Sequence, residues 1–197
     1  MKQAVSVPGY TFGTAAVAAS PLSLADLVLL KCTITFTAED EAYLRLVGTI
    51  LVDRVDDFLD RWYDFQATLP HLGYYSTQPN GQANLPYRAA ARLRFRQWIL
   101  DACERPYDQA WLDYQHEIGL RHTRIKKNQT DGAEAPPHIN FRYLLAQIYP
   151  LGAALRPFLA SKGHSEDVVE RMHQAWSKAL LLHVVLWSQP YVKDGDF

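Results

Sequence analysis

Two cysteines in 197 residues leave little room for a covalent framework. Cys32 and Cys103 fall in separate expected helices, with no CxxC and no histidine nearby. Both read as reduced, buried, small hydrophobes. Charge of one sign is equally scarce: 20 Lys and Arg stand against 21 Asp and Glu, a net charge of −1. That excludes the concentrated basic surface of a nucleic-acid binder. The longest apolar run near the end, residues 179–187, is interrupted by His183 and is too short to span a bilayer, so no membrane partner is expected. No apolar stretch follows a basic start, so a cytoplasmic protein without a secretory leader is expected. HExxH, GxSxG, Walker-type and GxGxxG patterns are missing, as is any carboxylate–histidine cluster with zinc spacing.

Period-two alternation is missing too, and with it any sign of a sheet. What remains is helical patterning, in a chain long enough to bury one core. Ser20-Pro21 reads as a helix start, and Thr37 followed by Glu39 and Asp40 reads as a second. Residues 38–69 are expected as two helices meeting near Gly48, with Pro70 as the stop. Further helices are expected over residues 87–103, 108–127 and 141–162, the last with kinks at Pro150 and Pro157 and a stop at Gly163. Ser165 caps a final helix running to Ser188. The class is all-α, with seven or eight helices and an irregular N-terminal segment carrying Tyr10 and Phe12. A globin fits this description, as do other all-α folds.

Aromatics are plentiful, with five Trp, eleven Tyr and eight Phe, enough to line a flat apolar cofactor site. One histidine stands out against them. At about 100° per residue, Trp111, Tyr114, Ile118, His122 and Ile125 fall on one face of the 108–127 helix. His116 lies off that face, among Asp113, Glu117 and Arg124 on the wetter sides. His122 is either a core histidine with a hydrogen-bond partner or a neutral nitrogen ligand facing something inside the fold. Haem iron is one such group: a single helical histidine can hold it and leave its other face free. The second ring nitrogen then needs an acceptor, which the carbonyl near Ile118 can supply.

A second candidate is Trp62-Tyr63, where a tyrosine hydroxyl beside an apolar helix face either donates to a bound diatomic ligand or bonds a backbone carbonyl. Phe95 and Trp98 suit a pocket wall and a plain core equally. His71, His164 and His173 read as loop-borne or exposed. The Arg124–Lys127 run reads as a solvated helix end favoured by the dipole, with neutralisation of haem propionates as its alternative.

Taken together, VPGYTFG (7–13), FTAEDEAYL (36–44), RWYDF (61–65), PHLGYY (70–75), RFRQWILD (94–101) and the long stretch YDQAWLDYQHEIGLRHTRIKKNQTDG (107–132) resemble the protoglobins. These are single-domain haem proteins related to globin-coupled sensors, and the likeness continues through residues 141–150, 156–165 and 174–197. The resemblance implies a globin fold over 1–197 with an additional N-terminal helix and an extension over residues 1–20. It implies haem b, with His122 as proximal iron ligand, Trp62 and Tyr63 as distal residues and Phe95 on the pocket wall. Gln147 and Ser76 stand where relatives carry aromatics, so Gln147 either opens the pocket or adds a donor. Arg94, Tyr114 and Ile118 complete the expected cofactor contacts.

The function implied is reversible binding of O2, CO and NO at a five-coordinate iron, in a homodimer formed through the last two long helices. Two alternatives accompany it. One is a haem enzyme acting on NO or another small reactive species, with promiscuous carbene transfer as a chemical extension. The other is a gas sensor signalling through a partner.

Overall fold

The structure, a computed structural model, describes residues 7–193 and 195–197. The first six residues of the expected extension and residue 194 lie outside the described residues. The described residues form nine α-helices: α1 (Leu24–Thr33), α2 (Ala38–Leu51), α3 (Val55–Ala67), α4 (Pro70–Gly73), α5 (Leu85–Glu104), α6 (Gln109–Arg121), α7 (Phe141–Ala146), α8 (Ile148–Ala160) and α9 (Glu166–Ser188). Short 3₁₀ turns follow α4 and α9, and one isolated bridge pairs Thr77 with Ala83. The all-α expectation holds.

Helix starts follow local chemistry. Ser23 with Asp26 and Thr37 with Asp40 close reciprocal capping boxes on α1 and α2, each contributing about 1 kcal/mol. Asp108 and Ser165 cap α6 and α9 through the amides of Trp111 and Val168. The first helix therefore begins at Ser23 rather than at Ser20-Pro21. The break expected at Gly48 falls instead at residues 52–54, because Gly48 does another job. A Cβ there would lie 3.1 Å from the Cys103 Cβ, so the missing side chain lets α2 and α5 close together.

Two further boundaries moved. The 141–162 helix is split at Gln147, since Pro150 has no N–H for the Ala146 carbonyl and the helical ladder restarts there. The 108–127 helix stops at Arg121, and residues 123–132 fold into consecutive turns. Ile125 consequently leaves the apolar stripe and is exposed, and Cys32 is exposed rather than buried.

The longest helix, α9, is packed by α2, α6 and α8, while α2 also packs on α5. Their apolar faces form the main core around Val47, Phe58, Trp98, Leu155, Trp176 and Ala179. A smaller cluster of Leu27, Trp111, Leu112, Leu182 and Leu186 ties α1 to α6 and α9. Each fully buried large side chain contributes about 1.5–3 kcal/mol of transfer free energy. His183 is sealed in this interior against Trp98, Trp111 and Trp187 with neither ring nitrogen bonded, and burial pushes its pKa down to about 3. His173, expected in a loop or exposed, lies on α9, half-buried, with Nε2 3.2 Å from the Gly152 carbonyl.

Candidate functional site

The core encloses a cavity of about 1060 Å³, at the upper end of the range for small-molecule and cofactor sites. All eight residues singled out in the sequence line it: Trp62 and Tyr63 from α3, Arg94 and Phe95 from α5, Tyr114 and Ile118 from α6, His122 just after α6, and Gln147 between α7 and α8.

His122 occupies the C-cap of α6. Its Nδ1 lies 2.7 Å from the Ile118 carbonyl oxygen. A carbonyl only accepts, so Nδ1 carries the hydrogen and Nε2 keeps its lone pair. Burial, only partly offset by this bond, pushes the pKa down to about 4, so the ring is neutral near pH 7. The ring stacks on Trp187 at 5.5 Å between centroids and 24° between planes, and Trp187 Nε1 donates to Gln115 Oε1 at 3.0 Å. The backbone is held as firmly. The His122 amide donates to the Gly119 carbonyl, and the His122 carbonyl accepts from the Ile139 amide at 2.9 Å, with the Tyr191 hydroxyl 3.1 Å away. Gly119 permits this closeness, for a Cβ there would meet the Trp187 Cα and oxygen at 3.2 Å.

Tyr63 presents its ring edge-on to Phe95 and lies under the Arg92 guanidinium at 5.5 Å. Its hydroxyl bonds to none of the described residues, which removes the carbonyl-bonded alternative, and burial pushes its pKa up to about 12. The hydroxyl is therefore a protonated donor at all physiological pH. Phe95 stacks on Trp98 at 5.4 Å and 16°. Gln66, which the sequence reading passed over, also lines the cavity, and its Nε2 donates to Gln147 Oε1 at 2.6 Å. Its position three and four residues beyond Tyr63 and Trp62 was the available signal.

Cations gather around the same space. Arg94 forms a two-pronged pair with Asp131 at 2.9 and 2.6 Å and donates to the Pro8 carbonyl. Arg121 joins Glu117 to the Gly9 carbonyl and the Thr11 hydroxyl, drawing the N-terminal segment onto α6. Only half of the Arg124–Lys127 run is the solvated end expected of it: Arg124 and Ile125 are exposed, whereas Lys126 and Lys127 turn inward. Lys126 pairs with Glu117, which is itself buried rather than on a wet face. Lys127 is buried against the cavity, with Nζ 2.8 Å from the Tyr75 carbonyl and 5.0 Å from the Tyr87 ring centroid. Burial pushes its pKa down to about 8. Arg88, also on the cavity, donates to Ser76 Oγ at 2.8 Å and to the Gly73 carbonyl. Neither Lys127 nor Arg88 has a carboxylate partner among the described residues.

The family model for protoglobins matches residues 24–197. No individual curated protein matches the chain significantly. With the all-helical fold, and with one cavity lined by a half-buried neutral histidine and a tyrosine hydroxyl without a partner among the described residues, the chain belongs to the protoglobin family, the globin-type haem proteins that bind gaseous ligands.

Proposed function

We propose that the cavity holds haem b, that His122 Nε2 would be the nitrogen holding its iron, and that the protein binds O2, CO and NO reversibly. The carrying observation is the His122–Ile118 bond, which fixes the tautomer and leaves one unprotonated nitrogen facing the cavity. Haem contributes an iron with one coordination position left for a diatomic ligand. Everything else is the work of the chain. Trp187 and the clamped backbone fix the imidazole plane, and the Tyr63 hydroxyl supplies a hydrogen bond to a polar diatomic ligand. Trp62 and Phe95 keep the surroundings apolar, which strengthens that bond. The cation set also fits the group. Lys127 and Arg88, with no carboxylate of their own, suit the two propionates, while Arg94 reaches the cavity already neutralised by Asp131.

We further propose a homodimer through α8 and α9, which pack on each other and leave Tyr149 and Leu181 exposed. Among the described residues no helix is long and apolar enough to cross a membrane.

The test is optical. Ferrous protein supplied with haem should show a Soret band that moves on adding CO and returns when CO is removed. A protein that takes up no haem, or whose band ignores CO, overturns the reading.

A further inference from the structure

Gln66 and Gln147 form an amide pair on the cavity wall that neither the fold nor the axial histidine requires. The first sits on α3, one turn beyond Trp62. The second sits at the break between α7 and α8, with its amide donating to the Tyr143 carbonyl and its carbonyl accepting from Leu151. Both side chains are half-buried, and both line the same cavity as Tyr63. Gln66 Nε2 donates to Gln147 Oε1 at 2.6 Å, which commits the Gln147 oxygen. What Gln147 has left is its NH2 group, and that group bonds to none of the described residues. With its oxygen already accepting one bond, the unpaired end of the Gln147 amide is its pair of hydrogens.

We infer that Gln147 is a second hydrogen-bond donor to the gaseous ligand, beside Tyr63, and that Gln66 is the positioning residue that sets which end of the Gln147 amide faces the cavity. The inference rests on the haem reading above and adds specificity to it. A polar ligand such as O2 gains from two donors, whereas CO, with far less charge on its outer atom, gains little. The pair therefore raises the preference for O2 over CO. The effect expected of one neutral hydrogen bond is about threefold to tenfold in that ratio.

The polarity of the pair makes the inference testable. In Gln66→Glu the partner atom becomes an acceptor, so the Gln147 amide must turn to donate to it and present its oxygen to the ligand. In Gln147→Leu the donor is lost without being reversed. The readout is the infrared stretching frequency of CO on the ferrous haem protein, which falls beside a donor and rises beside a lone pair. The expected order is wild type lowest, Gln147→Leu higher and Gln66→Glu highest, with the O2-to-CO affinity ratio falling in the same order. Because a structural role for Gln66 predicts no reversal, the Gln66→Glu frequency separates positioning from packing. Identical frequencies in all three proteins overturn the inference and leave the haem reading standing. A wild-type protein that forms no CO complex overturns both.

Discussion

The two ends of the cavity are built by different rules. Around His122 nearly every polar atom is committed: Nδ1 to Ile118, the amide to Gly119, the carbonyl to Ile139, and the stacked Trp187 to Gln115. Only Nε2 is left over. Around Tyr63 the position is reversed, with the tyrosine hydroxyl, the Gln147 NH2 and the Gln66 oxygen all without partners among the described residues. These three side chains are half-buried and line the cavity, so a molecule held there can pair with them. Under the proposed function, the committed end is the one that would hold the haem and the open end the one that would choose its ligand.

The rigid end is broken most severely at Gly119. Gly119→Ala puts a methyl 3.2 Å from the α9 backbone, so α6 must shift and carry His122 with it. The expected cost is about 1–3 kcal/mol, or roughly 2–12 °C in Tm, read by thermal unfolding of the haem-loaded protein. An unchanged Tm would mean the two helices are not locked there. The free end is probed by Tyr63→Phe, which keeps the ring on Phe95 and removes the donor. Dissociation of O2 should quicken by about tenfold with CO little changed, and Tm should hold, in laser-flash or stopped-flow measurements. Equal effects on both gases would deny the hydroxyl its role.

A smaller effect comes from the sealed histidine behind the rigid end. The His183 pKa, about 3, lies below its ordinary value of 6.5, so the folded state favours the neutral ring. As pH falls below about 6.5 the unfolded chain takes up a proton that the folded chain refuses. The associated stability, full above that pH, is lost progressively towards pH 3. His183→Leu removes this loss and two unbonded nitrogens. In urea titrations of the haem-free protein, its advantage over wild type should be about 1 kcal/mol at pH 8 and larger at pH 5. A constant difference would show that the ring is not held neutral.

Much of this was legible in the chain. The α9 boundaries followed from Ser165 and the apolar pattern, and the separation of His122 from His116 followed from helical angle alone. The Ile118 carbonyl was identifiable because a carbonyl four residues earlier lies within reach of a ring at a helix end. What escaped depended on partners distant in sequence. Lys127 is buried because the Tyr75 carbonyl, 52 residues away, receives it. Glu117 is buried because Arg121 and Lys126 both fold onto it. The stop at Arg121 was hidden because Arg124, Ile125, Lys126 and Lys127 are helix-compatible residues that nonetheless fold into turns. Gln147 was noticed as a departure, but its partner Gln66, 81 residues away, appeared only in the structure.

The central claim is that His122 alone holds the iron. Resonance Raman spectra of the ferrous protein, prepared with ordinary and 15N-labelled histidine, test it directly. The account predicts a low-frequency iron–histidine band that moves with the isotope, is lost in His122→Ala and survives in His116→Ala. A band that persists unchanged in His122→Ala would contradict it.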